Sequence, residues 1–248
     1  MTDRDTARRV EALLAARDGG AAAPHALFAG ISAEEAYAVQ RGVMAELGET
    51  GAFKIARKPG QPVIMAPIPR ADIHAAPASL PASGLRRIGI ELEIAFELIS
   101  PLPPCDAPDF ETRAARCVAM LPVIEIVDSR LDDPEAAEPA GRLADNQMAG
   151  ALVTGPRCAG WNDGAQSRRA RLEIGGRAVF SGPAVPPGGD AFATFCTLAR
   201  MIGSHCGGLR PGSIVITGSL NGLPWAAPGD TAEGWIEGLG SAALRIAT

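Results

Sequence analysis

Paired cysteines, clustered histidines and long apolar runs are all missing from this sequence of 248 residues. Its five cysteines, Cys105, Cys117, Cys158, Cys196 and Cys206, form no CxxC and are odd in number. That excludes a complete disulfide frame and is read as reduced thiols in a cytoplasm. The three histidines, His25, His74 and His205, lie far apart, which argues against a zinc centre. No apolar stretch approaches the ~20 residues needed to cross a bilayer. The first twenty residues carry acids and no apolar core, so no secretory signal is expected. Basic residues are in the minority, 23 against 28 acidic ones, for a net charge of −5. Nothing therefore directs the chain to a phosphate backbone, and neither nucleic acid nor membrane is an expected partner.

What is present is ordinary core material. Hydrophobic residues make up 47% and charged residues 21%, enough for one or two domains with a sizeable interior. The 29 glycines and 21 prolines punctuate the chain and favour many short strands over long helices.

Residues 3–18 predict an amphipathic helix with Val10, Leu13 and Leu14 on one face and Gly19-Gly20 as its stop. A second helix starts at Ser32, an N-cap completed by Glu35 three residues on. Residues 1–50 thus read as a helical N-terminal segment and 51–248 as a β-rich domain, an α+β chain. "GAFKIA", "QPVIMAPIP" and residues 86–99 read as extended segments, and "PLPPCDAPDF" as a loop. "ETRAARCVAMLP" reads as a helix ending at Pro122, "VIEIVDSR" as a strand, and "DDPEAAEPAGRLADN" as a polar loop. Then follow a strand in "AGALVTGP" and a hairpin turning at Gly175-Gly176. "DAFATFCTLARMIGSHCGG" is expected to form a helix, "GSIVITGSL" a strand entering a glycine-rich loop, and "GDTAEGWIEGLGSAALRIA" two closing strands.

"GIELEIAFELI" carries the chemistry. Alternate positions put Ile88, Ile90, Leu92, Ile94, Phe96 and Leu98 on one side and Glu91, Glu93 and Glu97 on the other. Glu91 and Glu93 then stand roughly 6–7 Å apart at the backbone. Glu125, in "VIEIVDSR", is flanked by Val123, Ile124, Ile126 and Val127, which is buried-strand material on both faces. An acid placed there must be paired, protonated or bound to a cation. Two carboxylates ~4 Å apart repel by about 4 kcal/mol at an effective dielectric of 20, and a divalent ion converts that repulsion into attraction. Oxygen ligands suit Mg²⁺ or Mn²⁺ better than zinc. The plainer alternative is a solvated strand face, to which Glu97 on the same side would belong. Lys54, between Phe53 and Ile55, is expected to lose its proton more readily if desolvated. Asp128 and Arg130 share a strand face as an expected internal ion pair. Asp145 and Asn146 form a turn or shape a site, His205-Cys206 is structural, and Trp161, Trp225 and Trp235 serve packing or an interface.

The succession "FKIA", "GIELEIAFEL", "VIEIVDSR", "ADNQMAGALVTG", "GSIVITGSL" and "PGDTAEGWIEGLGSAAL" resembles the 2-keto-4-pentenoate hydratase and 4-oxalocrotonate decarboxylase group of the fumarylacetoacetate hydrolase superfamily. The resemblance implies a β-rich fold after a helical start and a Mg²⁺ or Mn²⁺ on Glu91, Glu93 and Glu125. It implies a catalytic Lys54 and a substrate near Ser219, with Arg57 and Asp128 as further candidate contacts. It implies hydration of a short 2-hydroxy-dienoic or 2-oxo acid through a metal-stabilised enolate, in a cytoplasmic homo-oligomer. Decarboxylation of a 2-oxo diacid, isomerisation and a non-catalytic binding member are the alternatives; C–C hydrolysis ranks low, since only His74 lies near the motifs. Two departures accompany the likeness. "MAPIP" holds no acid where the group carries an Asp, leaving Asp72 as the nearest, and Ala56, Arg57 and Lys58 follow "FKI" in place of a glycine.

Overall fold

The computed structural model describes residues 3–158 and 168–248; Trp161 lies outside them. Helix α1 (Asp3–Arg17) packs on α2 (Ala33–Leu47). The α2 start is a reciprocal cap: Glu35 N donates to Ser32 Oγ at 3.2 Å, and Ser32 N donates to Glu35 Oε2 at 2.6 Å. The two helices approach closely because Gly42 faces Val10, whose Cγ2 would lie 2.5 Å from any added Cβ.

The remaining elements are β1 (Thr50–Ala56), β2 (Ile64–Pro69), β3 (Ile73–Ala75), β4 (Ala78–Pro81), β5 (Gly89–Leu98), α3 (Phe110–Ala114), β6 (Val118–Val127), α4 (Pro139–Ala144), β7 (Ala149–Thr154), β8 (Arg168–Ile174), β9 (Arg177–Ala184), α5 (Ala191–Met201), β10 (Ile214–Ile216), β11 (Thr231–Ile236) and β12 (Gly240–Ala247). They build two mixed sheets in a half-barrel, of order β2-β1-β10-β5-β6-β7-β3 and β4-β12-β11-β8-β9. The expected α+β class therefore holds. The β8–β9 hairpin turns at Gly175 and Gly176, both at positive φ (57° and 74°), the geometry a two-residue turn demands.

The main core lies between the sheets. Phe53, Ile90, Leu92, Phe96, Ile124 and Val215 meet Leu172, Ile236, Leu244 and Ile246, with Phe195 of α5 closing the side. A second cluster joins Leu13, Phe28, Val39 and Val43 of the helical start to Leu131 and Leu143. The opposite face of the larger sheet carries a small patch of Ala52, Ala95, Val123, Leu152 and Ile216, and the acids share that face.

Three sequence expectations change. The helix expected through "ETRAARCVAMLP" stops at Ala114, and Val118–Val127 form a strand. All ten of its residues register with β5, Leu98 to Val118 through Gly89 to Val127. Pro122 is tolerated because β7 registers only as far as Thr154 opposite Val123, so no ladder amide is demanded of it. The loop expected across 132–146 contains α4, started by Pro139 at its first turn and buried through Leu143 and Ala144. The helix expected to run to Gly208 ends at Met201, followed by a 3-10 turn at His205–Gly207.

Candidate metal and substrate site

Register assembles the acids. In the β5–β6 ladder Glu91 is the direct partner of Glu125, and Glu93 faces Val123 two pairs further along. Period-two alternation puts all three carboxylates on one side, where each offers an oxygen within 4.8 Å of the others. Lys54 joins from β1, which is separated from β6 by β10 and β5. In a flat sheet that is roughly 14 Å, yet Lys54 Nζ lies 2.5 Å from Glu125 Oε1. The curl of the half-barrel brings them together.

Burial dominates the electrostatics. Glu91 is pushed up to about 7 by burial and then by the charge of Glu125. Glu93 is raised well above the usual carboxylate range by burial, then by Glu125 and Glu91, with the Gly218 amide opposing. Glu125 is raised by burial, against the pull of Lys54. Burial by itself would lower Lys54, but the charges of Glu125 and then Glu91 outweigh it and hold the ammonium above its ordinary value. This reverses the expectation that desolvation would loosen its proton.

Glu125 is fully buried, and its Oε2 has no hydrogen-bond partner among the described residues. A bare buried carboxylate oxygen, on an acid grouped with two others, costs free energy. A hard divalent cation matches this all-oxygen donor set, with water and ligand completing its shell. Glu97 is neither in this group nor solvated: Arg157 pairs with it and covers it.

Glu91 and Glu93 line a cavity of about 520 Å³, with Glu125 buried behind them; Lys54, Arg57, Lys58, Ser219, Gln147 and Met148 also line it, and Ile55, Ile64, Val127 and Leu223 form an apolar wall. Arg57 is tethered by its Nη1 to the Gly188 carbonyl at 3.2 Å. Ser219 lines the cavity while its Oγ donates to Gly222 O at 2.7 Å, and the neighbouring Gly218 amide is spent on Glu93 Oε2 at 2.5 Å. Asn221 pins this loop: its Oδ1 accepts from Leu92 N at 2.7 Å and its Nδ2 donates to Ile90 O at 3.1 Å.

Asp128 is placed elsewhere. Its Oδ1 accepts the amides of Arg86 and Arg87 at 3.1 and 2.8 Å, and it lines a neighbouring cavity of about 190 Å³. The expected Asp128–Arg130 pair does not form, because β6 ends at Val127. Arg130 turns instead to Asp145, Nε to Oδ1 at 2.5 Å. Asp72 pairs with Arg17 and does not line the larger cavity. His74 sits on β3, also away from it.

Sequence reasoning allowed a turn at Asp145-Asn146 but missed Gln147 and Met148, which line the cavity. Asn146, Gln147 and Met148 have φ of 47°, 51° and 59°, three successive non-glycine residues in the left-handed region, at roughly 1–2 kcal/mol each. The Gln147 carbonyl accepts from Lys54 Nζ at 3.1 Å. The only sequence signal was the Asp-Asn pair, residue types that tolerate this conformation.

Residues 35–247 match the family model described as fumarylacetoacetate (FAA) hydrolase C-terminal. The chain belongs to that family. Two curated relatives are the 4-oxalocrotonate decarboxylase of Pseudomonas putida, 27% identical over 63% of this chain and 59% of its own length, and the 2-hydroxyhexa-2,4-dienoate hydratase of Comamonas testosteroni, 31% identical over 69% and 64%. The aligned region thus spans about three fifths of the length of these relatives. Solved structures of the 4-oxalocrotonate decarboxylase from Pseudomonas putida G7, one complexed with calcium and acetate and one with magnesium and adipate, superpose with TM-scores of 0.84 and 0.83. Each covers 99% of this FAA hydrolase family chain and 98% of its own, at 20% and 19% identity; at that identity the likeness is one of fold. No helix among the described residues of this family member is long and apolar enough to cross a membrane.

Proposed function

We propose that the chain is a divalent-metal-dependent lyase that adds water to a short 2-hydroxy-dienoic or 2-oxo acid. The observation behind this reading is the convergence of Glu91, Glu93 and Glu125 within 4.8 Å of one another, with Glu91, Glu93 and Lys54 lining one cavity and Glu125 buried behind them. Glu91, Glu93 and Glu125 would hold Mg²⁺ or Mn²⁺. A bound cation supplies a Lewis acid for negative charge developing on the 2-oxygen of the substrate. Lys54 keeps its proton because Glu125 and Glu91 stabilise the ammonium. With two N–H groups directed to Glu125 and the Gln147 carbonyl, one remains of the three an ammonium carries. That N–H is available to orient the substrate carboxylate or to donate a proton. The apolar wall limits bulk water, which strengthens each of these contacts.

Decarboxylation of a 2-oxo diacid is the second reading, and the cationic side of the cavity favours it. Arg57 and Lys58 line it with no carboxylate partner among the described ion pairs. They offer a site for a second carboxylate at the end of the substrate. Turnover of a panel of 2-hydroxy-dienoates and 2-oxo diacids with Mg²⁺ or Mn²⁺ separates the readings, following diene absorbance and CO₂ release. Hydration requires metal-dependent loss of the diene without CO₂. Release of CO₂ supports the decarboxylase, and tight binding with no turnover of any member leaves a 2-oxo acid binding protein.

A further inference from the structure

The left-handed turn at 146–148 is gripped at both ends by one side chain. Arg130 Nε donates to Asp145 Oδ1 at 2.5 Å and its Nη2 donates to the Asp145 carbonyl at 2.8 Å, while its Nη1 donates to the Ala149 carbonyl at 2.7 Å. The Arg130 amide donates to Asp145 Oδ2 at 2.9 Å, and Ser129 Oγ donates to the same oxygen at 2.8 Å. All of this is buried: Arg130 is 5% exposed and Asp145 2%. Asp145 immediately precedes the turn and Ala149 immediately follows it. A planar guanidinium with several fixed donors spans the two ends as a point-charge ammonium would not.

The turn it closes is not a spacer. Gln147 and Met148 line the cavity, and the Gln147 carbonyl is one of two acceptors seen on the Lys54 ammonium. The Met148 carbonyl accepts the Asp128 amide at 2.8 Å, tying the turn to the end of β6 beyond Glu125. Three residues in a conformation that side chains disfavour relax unless the surroundings over-determine them.

We propose that Arg130 is a positioning residue: it staples the 146–148 turn so that the Gln147 carbonyl is delivered to Lys54 and fixes where the free N–H of the ammonium points. The proposal rests on Lys54 serving the reaction described above. Arg130 does not line the cavity; its charge also reaches Glu125, and Arg130→Lys, which keeps that charge but not the fork, separates this from the effect through the turn.

The test compares Arg130→Gln and Arg130→Lys with the wild type, each with and without Gln147→Gly. Glycine adopts the left-handed conformation at no steric cost, so it lowers the demand on the staple. In Arg130→Gln, kcat falls by about 10- to 100-fold, while KM and calorimetric Mn²⁺ affinity stay near the wild-type values. Hydrogen exchange at the Met148 amide, which donates to the Asp145 carbonyl at 2.8 Å, accelerates. Gln147→Gly restores part of the lost kcat in that background. If Arg130→Gln does not fold, Arg130→Lys keeps the charge beside Asp145 and shows a smaller loss of the same kind. An unchanged kcat overturns the proposal. So does a parallel fall of kcat, KM performance and Mn²⁺ affinity that Gln147→Gly does not rescue, since that is general destabilisation. A wild type that turns over no member of the substrate panel sinks the underlying lyase reading instead, and Met148 exchange then still decides whether Arg130 holds the turn.

Discussion

At the scale of single residues, the decisive contact is Lys54 with Glu125. Each is costly where it lies: one fully buried acid with an orphaned oxygen, one ammonium largely withdrawn from water. Together they offset part of each other's burial, and the second oxygen of Glu125 remains for a cation. Glu125→Gln keeps the shape and removes the charge, so Mn²⁺ affinity should fall by more than about 100-fold, beyond the usual loss for a supporting group; calorimetry reads this directly. Lys54→Met should act oppositely on the two functions. Metal affinity is retained or tightened, because a competing cation has gone, while kcat drops by about 10²–10⁴-fold as for loss of a general acid. The acids were legible in the sequence because strand alternation is local: Glu91 and Glu93 share a face whatever else happens, and an apolar run marks Glu125. Their partner was not legible. That Lys54 reaches across three strand spacings depends on sheet curl, which no spacing in the chain encodes.

At the scale of elements, β6 shows how a local signal loses to pairing. "RCVAML" has helix formers before a proline, but full register with β5 and burial on both faces win. The polar stretch before Asp145 hid α4 in the same way, since its helical character rests on burying Leu143 and Ala144 against α2. One side chain ties these pieces together. Gln40 of α2, fully buried, donates to Leu143 O at 2.6 Å and Met65 O at 3.3 Å, and its Oε1 accepts from His205 Nε2 at 2.9 Å. The tautomer of His205 follows, because both donors of the amide are already used on carbonyls. Gln40→Leu strands these three groups. A loss of about 3 kcal/mol is expected, read as a fall in melting temperature of about 6–12 °C for a chain of this size.

At the scale of the whole molecule, the acids and His205 make stability depend on pH in opposite directions. The site carboxyls bind protons in the folded state that the unfolded chain sheds near its ordinary value of 4.5, with Glu91 held up to about 7. The contribution of Glu91 is present below about 4.5 and lost as pH rises through about 7, and Glu93 and Glu125 act in the same direction. His205 is pushed down to about 4 by burial, so its contribution is present above 6.5 and lost as pH falls through about 4. Three carboxyls outweigh one imidazole. Metal-free protein in chelator should therefore melt at lower temperature at pH 7.5 than at pH 5, and saturating Mg²⁺ should abolish or reverse that difference. Thermal melts at the two pH values check it. The helical beginning, the β-rich remainder and the hairpin at Gly175-Gly176 followed from chain pattern. The sheet order did not, because β10 inserts between β1 and β5 from more than a hundred residues away.

Whether Glu91, Glu93 and Glu125 hold a cation is decided by calorimetric titration of Mn²⁺ into the chelator-treated wild type and Glu125→Gln, with and without oxalate. One cation per chain, bound more tightly when oxalate is present and lost in the variant, is the predicted result. Absence of uptake by the wild type at millimolar Mn²⁺, or equal uptake by both proteins, would contradict the claim that these three carboxylates form a cation site.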